Sequence, residues 1–278
     1  MVRSMSDSDS DSDRSHREVA ASDDRYSRAD YRRLIAWSAR IERERPFLLQ
    51  LLRCSPEPSV VDLGCGSGEH TAFFSHEGAR AVGVDRSEAM LASARDHEAR
   101  GEGRFVLGNV AQARNALGNE APFGLAICLG NTLPHLLEDE DLEAFVASLC
   151  EVLLPGGLFL LQTLNYRRII DQQIRYLPVN VREGEADEEI VFLRLMKSVS
   201  ERRILFFPTT LALSVDADAP VSVNRSRRVE LRPWTSEDVV NALEPRGFKV
   251  ELFGDMKGGP FDTQSSHDLI VVATRGLS

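Results

Sequence analysis

Only four cysteines occur in 278 residues: Cys54, Cys65, Cys128 and Cys150. None forms a CxxC pair and none has histidines at zinc-ligand spacing, so neither a disulfide framework nor a metal centre is expected. They read as small buried hydrophobes. Long apolar runs are missing too. Stretches such as Leu158–Leu161 and Ile270–Ala273 fall far short of the roughly 20 residues that a membrane helix needs. The N-terminus lacks the apolar core of a secretory signal, and the expected location is cytoplasmic. Positive charge is in deficit. The net charge is −10; the first 30 residues carry seven Asp and one Glu against five Arg, a net of −3, which leaves −7 for the remainder. An acidic body is a poor non-specific partner for nucleic acid, whose phosphates attract basic faces. The notable basic cluster is Arg225, Arg227, Arg228 and Arg232, which on a strand reads as solvated edge charge.

What is present divides the chain into five stretches. Residues 1–24 alternate Ser and Asp, bury too little apolar surface to offset their ordering entropy, and are expected to be disordered. Residues 25–55 carry helical spacing in Leu34, Trp37, Ile41, Phe47, Leu48 and Leu51. Pro46 is expected to separate two helices or to open the second. Residues 56–164 alternate short apolar runs (Val60–Leu63, Ala81–Val84, Phe105–Leu107, Leu125–Leu129, Leu158–Leu161) with helical stretches such as Ser87–Arg100 and Asp139–Leu153. That rhythm predicts a parallel sheet with helices on both faces. Residues 165–232 break it: Ile190–Lys197, Arg203–Leu213 and Ser222–Leu231 read as long strands with no helix between them, hence antiparallel. The helix-strand rhythm returns in 233–278, with Thr235–Arg246, Lys249–Phe253 and Leu269–Thr274. The fold class is therefore α/β: a Rossmann-like, mostly parallel seven-stranded sheet, with an antiparallel insertion after the fifth strand.

The chemistry concentrates in Val60-Val61-Asp62-Leu63-Gly64-Cys65-Gly66-Ser67-Gly68, a strand running into a glycine-rich turn and then a helix. Glycines there permit a tight turn and close approach of backbone to ligand. A second strand ends in Asp85, 21 residues after Gly64, the spacing at which a Rossmann carboxylate reaches a ribose. The dinucleotide fingerprint would place its third glycine at position 69, where Glu69 stands. A pyrophosphate wants a helix N-terminus free of acid. S-adenosylmethionine has no phosphate and carries an amino group and a sulfonium, so an acidic lining from Asp62 and Glu69 suits it better than NAD.

The chain resembles the class I S-adenosylmethionine-dependent methyltransferases. VVDLGCGSG and GVDRSEAML are similar to that family's first two motifs; RFVLGNV, FGLAICLGN and LLPGGLFLL follow in its order and spacing. Two departures stand out: Asn109 replaces the usual acid near adenine, and Gly124 replaces an acid on the fourth strand. The resemblance implies S-adenosyl-L-methionine as cofactor. The backbone of Gly64, Gly66 and Gly68 would face its methionine part and Asp62 would orient that part. Asp85 would hold the ribose, Arg86 would lie over the adenine plane, Asn109 and Val110 would meet the adenine, and Leu129 would flank the methionine group.

For the methyl acceptor, Leu129-Gly130-Asn131-Thr132-Leu133-Pro134-His135 resembles a stretch of the glycine and sarcosine N-methyltransferases, as does Asn165-Tyr166; Arg167 departs from it. The resemblance implies Asn131, His135 and Tyr166 as candidate catalytic residues. Asn131 would orient a substrate amine or the methionine end of the cofactor, and His135 would act as base. Against this, Asn131 also reads as a loop cap, His135 as a helix-start histidine and Tyr166 as packing under the insertion. Arg175 and Tyr176 are candidates to clamp a carboxylate. Tyr26, Tyr31 and Trp37 would cap the site, and His267 and Asp268 are further candidates. In-line displacement at a sulfonium carbon needs alignment and exclusion of water rather than a triad. The expected partner is a small-molecule acceptor methylated at nitrogen or oxygen, with no metal, nucleic acid or membrane, and with homo-oligomerisation open. The alternatives are an RNA or protein methyltransferase, a non-catalytic S-adenosylmethionine-binding module and, disfavoured by Glu69, a nicotinamide dehydrogenase.

Overall fold

A computed structural model describes residues 35–183, 189–214 and 220–277. The expected disorder of residues 1–24, and Tyr26, Tyr31 and Leu34, lie outside the described residues.

Seven strands form the main sheet: β1 (Ser59–Leu63), β2 (Arg80–Asp85), β3 (Arg104–Leu107), β4 (Phe123–Cys128), β5 (Leu153–Leu164), and the late strands β11 (Phe248–Phe253) and β12 (Asp268–Arg275). Their order is β11-β12-β5-β4-β1-β2-β3. β1 to β5 are parallel, and β12 runs antiparallel between β5 and β11. The strand order reverses beside β1, so the carboxyl ends of β1 and β4 flank the crevice in which open α/β sheets bind ligands.

Helices cover both faces because the strand interiors are apolar on both sides. On one face α1 (Trp37–Cys54) and α2 (Glu69–His76) bury Phe47, Leu48, Phe73 and Phe74 against Leu125, Ile127 and Leu160. On the other, α5 (Asp139–Val152) and α7 (Ser236–Leu243) bury Phe145, Leu149, Val239 and Leu243 against Val61, Ala126 and Phe159. The helices α3 (Glu88–Ala99) and α4 (Ala113–Leu117) complete the crossovers. α1 corrects the reading of Pro46: the helix runs through it unbroken. An interior proline costs about 3 kcal/mol. Burial of Phe47, Leu48, Leu51 and Leu52, at roughly 1.5–3 kcal/mol for each side chain, offsets it. The Pro155-Gly156-Gly157 segment does not interrupt the strand. β5 already begins at Leu153, and the segment is an irregularity within it: Phe123 opposes Leu153 while Leu125 opposes Leu158.

After β5 comes α6 (Tyr166–Asp171), then a five-stranded antiparallel sheet of β6 (Asn180–Glu183), β7 (Glu189–Ser200), β8 (Arg203–Leu213), β9 (Val221–Ser226) and β10 (Val229–Leu231). Sequence reading missed β6, and it joined β9 to β10. The break falls where Arg227 N–H donates to the carbonyl of Pro208, a residue with no N–H to return.

Arginines moor this sheet to the first turn of α5. Arg203 pairs with Glu138, and Arg202 and Arg232 both reach Asp139. Arg232 is buried, stacks 4.2 Å from the Trp234 ring and donates to Leu137 O and Asp139 Oδ1. It is therefore not the solvated edge charge expected of it, and Arg228 is held by Glu230. Arg232→Ala removes both donors and the stacked surface, and is expected to lower unfolding free energy by about 2–3 kcal/mol. Denaturant titration checks this; a loss under about 0.5 kcal/mol would contradict it.

Candidate active site

The turn after β1 has the shape that its glycines permit. Gly64, Gly66 and Gly68 take φ of +83°, +55° and +89°, a region that side chains resist. Gly64 N–H and Cys65 N–H both donate to Val84 O on β2, which closes the turn against the neighbouring strand. Asp85 finishes the arrangement: one carboxylate oxygen accepts from Gly66 N–H and the other from Ser87 N–H, each at 2.8 Å. One carboxylate thus ties the glycine turn to the start of α3, whose first turn Ser87 caps.

Beneath the turn lies a line of polar groups on the α1 side of the sheet. Asp62 is buried and accepts from Thr71 Oγ1 at 2.9 Å. Burial is the main cause that pushes its pKa up to about 6; His70 and Thr71 oppose the shift, and Asp85 and Glu69 add to it. His70 meets Glu44 of α1 at 2.8 Å, and Arg40 Nε donates to the same carboxylate at 2.9 Å. Burial alone would raise Glu44, but His70 and Arg40 hold it below its ordinary value. Trp37 sets its edge on His70, 5.6 Å between centroids, and the Arg40 guanidinium lies 5.2 Å from the Trp37 ring. Arg40 also reaches the β4 end: a Cβ on Gly130 would lie 3.9 Å from its Nη1.

At the carboxyl end of β4, Asn131 adopts φ +69°, a conformation uncommon outside glycine. Its neighbours hold it there. Its Oδ1 accepts from Thr163 Oγ1 at 2.8 Å and from Leu164 N–H at 3.3 Å, and its Nδ2 lies 2.9 Å from the Tyr166 hydroxyl. Tyr166 is buried against Ile169, Met196 and Ile204, and burial raises its hydroxyl pKa. Gly130 N–H donates to Gln162 Oε1 at 2.8 Å.

Residues 60–157 match the family described as methyltransferase domain. This segment belongs to that family, of the class I S-adenosylmethionine-dependent type. A glycine/sarcosine N-methyltransferase of Parasynechococcus marenigrum (strain WH8102) is 34% identical over 140 residues, 50% of this chain and 49% of the relative. A trans-aconitate 2-methyltransferase of Delftia acidovorans is 38% identical over 125 residues, 44% of each chain. The chain thus spans about half the length of the curated relatives it matches. An S-adenosylmethionine-bound amino pentose methyltransferase of Micromonospora echinaspora shares the fold over nearly everything: TM-score 0.68 at 20% identity, covering 93% of this chain and 96% of that one.

S-adenosylmethionine is the cofactor such a methyltransferase domain takes, and the residues present fit it. Gly66 leaves room where a side chain would stand, with Met90 Cε 3.5 Å from an added Cβ, and Asp85 accepts from its N–H. Glu69 opens α2 and accepts from Ser67 Oγ at 2.5 Å, placing acid where a pyrophosphate would be repelled. The indole N–H of Trp37 is buried without a hydrogen-bond partner among the described residues, an orphaned donor of the kind a ligand satisfies. Bound there, the cofactor supplies an electrophilic methyl.

The other predicted residues spread around this crevice. Leu129 is buried and its carbonyl accepts from Thr132 Oγ1. Asn109 caps the turn after β3 by accepting from Ala111 N–H, with Val110 half-buried beside it. Arg86 is exposed, and its charge acts on His135, so the two share one side of the crevice. Crowding first, then Arg86, holds the His135 imidazole below its usual pKa; more than a third of its surface still reaches solvent, which tempers the shift. Two candidates leave the site. Arg175 spends its Nε on Met196 O, and Tyr176 is 67% exposed on the second sheet. Asn165 caps α6 and donates to the carbonyls of Thr263 and Ser266. Asp268 lies beside Gln162 at the β5 end; burial raises its carboxyl. Arg40, Glu44 and His70 were not found by sequence. Glu44 interrupts the apolar stripe it shares with Phe47, Leu48 and Leu51, and that misplaced charge was the available signal.

Asp62 carries a pH signature. A carboxyl raised from 3.8 to about 6 favours folding in its protonated form, so its cost appears as pH rises between those values and persists above. Asp62→Asn keeps an acceptor for Thr71 and avoids that cost. It is expected to raise stability by roughly 2–3 kcal/mol at pH 7.5 and to change little at pH 4. Thermal melts at both pH values check this; an equal gain at each would contradict the assignment.

Proposed function

We propose that the whole chain is a methyltransferase that transfers the S-adenosylmethionine methyl group to a small acceptor, at nitrogen or oxygen, in the cytoplasm. The observation that carries this reading is the acid-headed glycine turn tied to Asp85, which suits an adenosine without a pyrophosphate. In this reading Asp85 accepts from the ribose hydroxyls. Arg86, Asn109 and Val110 surround the adenine. Gly64, Gly66, Gly68 and Asp62 receive the methionine end, with Leu129 against it and Arg40 supplying a cation for its carboxylate.

The acceptor enters between Asn131, Tyr166 and His135. Asn131 is strained and over-determined, and such residues collect at ligand clamps. Its amide and the Tyr166 hydroxyl align the acceptor as positioning groups. A neutral His135 stands on the same side to take a proton. The second sheet, moored by Arg203 and Arg232 to the same crevice, excludes water and limits acceptor size. A small acceptor accords with the acids and amino acids named for the relatives. The burial of Arg232 deprives an RNA of a continuous basic face.

The test is a panel of small amines, amino acids, carboxylic acids and hydroxylated metabolites, followed by release of S-adenosylhomocysteine. At least one small acceptor is expected to turn over. With it, Asn131→Ala and Tyr166→Phe should each reduce kcat about tenfold or more while leaving S-adenosylhomocysteine affinity within threefold. Wild-type kcat in both variants would move the acceptor elsewhere. Methylation confined to RNA or protein would overturn the small-acceptor reading.

A further inference from the structure

Glu44 and His70 form a buried pair to which the proposed transfer gives no part. They are 5% and 6% exposed and meet at 2.8 Å. Such a pair is weak evidence of stabilisation, because well-packed apolar residues in its place are often neutral or better. What the pair touches gives it another use. Trp37, Arg40 and Glu44 follow one another at three- and four-residue spacing on one face of α1. The second Glu44 oxygen accepts from Arg40 Nε at 2.9 Å, and the same guanidinium lies 5.2 Å from the Trp37 ring. His70 touches both of these holders, Glu44 by its hydrogen bond and Trp37 at 5.6 Å between centroids. The four side chains therefore close a circuit. His70 stands in the first turn of α2, directly after the glycine turn, so the circuit fixes the Arg40 guanidinium relative to that turn although the two belong to different helices.

We propose that Glu44 and His70 are positioning residues for the cofactor's carboxylate: they set Arg40 so that its Nη1 and Nη2 face the methionine end. The proposal rests on the S-adenosylmethionine reading given above. Glu44 occupies Nε, which leaves the two Nη nitrogens, a planar pair that matches the two oxygens of a carboxylate. Neither Nη makes a hydrogen bond among the described residues. Nη1 reaches the β4 end, 3.9 Å from where a Cβ on Gly130 would stand, and glycine puts no side chain in the way. A free arginine side chain has many rotamers to lose when it binds. Here Glu44 and Trp37 remove that freedom before a ligand arrives, and His70 fixes both of them, so the cation is preorganised.

Calorimetry of the full chain with S-adenosylmethionine and with its decarboxylated form, which keeps the adenosine, the sulfonium and the amine, tests this. The wild type should bind the first at least tenfold more tightly. Glu44→Leu, which removes both acceptor oxygens, should weaken S-adenosylmethionine about tenfold and the decarboxylated form less than twofold. Glu44→Gln, which keeps an acceptor for Arg40, should bring S-adenosylmethionine back to within threefold of wild type. In an Arg40→Ala background, Glu44→Leu should cost no further affinity. If Glu44→Leu does not fold, His70→Phe serves instead: it keeps a ring on Trp37 but releases Glu44, and should weaken S-adenosylmethionine at least threefold with the decarboxylated form unchanged. Equal losses for both ligands would make the pair structural and overturn the proposal, as would wild-type affinity in the folded variant. Wild-type affinity in Arg40→Ala overturns it while the cofactor reading stands. Binding of neither ligand by the wild type overturns that reading as well.

Discussion

Asp85→Ala is expected to weaken S-adenosylhomocysteine binding about 100-fold while leaving the fold in place. The Asp85 carboxylate accepts from Gly66 N–H and Ser87 N–H, each at 2.8 Å, so its loss unties the glycine turn from α3. In the proposed complex the same oxygens also accept from the ribose. Hydrogen bonds to a charged group are each worth about 1.5–3 kcal/mol, and about 3 kcal/mol corresponds to the 100-fold expected. Asp85→Asn, which keeps one acceptor oxygen, should lose less. The side chain sits at a strand end and is only half-buried, so circular dichroism should be unchanged while the two lost bonds lower the melting midpoint by about 3–10 °C. Calorimetry checks the affinity; a change under threefold in Asp85→Ala would remove Asp85 from the cofactor site.

Gly64→Ala is expected to damage both stability and binding. A Cβ there would stand 2.4 Å from Thr132 Cγ2 and 2.7 Å from its Oγ1, on a backbone with φ +83°. The left-handed conformation costs a side chain about 1–2 kcal/mol and the overlap about 1–3 kcal/mol more. The total is about 3 kcal/mol, or a midpoint lower by about 10 °C for a domain of this size. Thr132 cannot retreat cheaply, because its hydroxyl is bonded to Leu129 O at 2.9 Å. Removing the obstructing methyl and hydroxyl with Thr132→Ala should therefore recover part of the stability but not the binding, since the left-handed strain remains. A wild-type midpoint in Gly64→Ala would show that the turn is looser than these contacts imply.

These two positions were legible in the sequence because their causes are local. Three glycines, a strand before them and an acid after the next strand fix a turn whatever surrounds it. The alternation of strands and helices was legible for the same reason, since side-chain period is local. Other features depend on partners far along the chain. α1 continues through Pro46 because Phe47 and Leu48 reach the sheet, which no window around residue 46 reveals. Glu44 and His70 stand 26 positions apart, and Asn131 and Tyr166 stand 35 apart. The latter two were singled out one by one, but the sequence did not show that they bond to each other. Arg232 read as an edge charge because its partner, Asp139, lies 93 residues away. The short β6 shows too brief an alternation to separate from a loop, yet it completes one edge of the second sheet.

Calorimetry of the purified chain with S-adenosylmethionine, S-adenosylhomocysteine and NAD in turn tests the cofactor assignment most directly. One-to-one saturable binding of the first two is expected, with no heat from NAD. Saturable binding of NAD, with silence from both sulfur ligands, would contradict it.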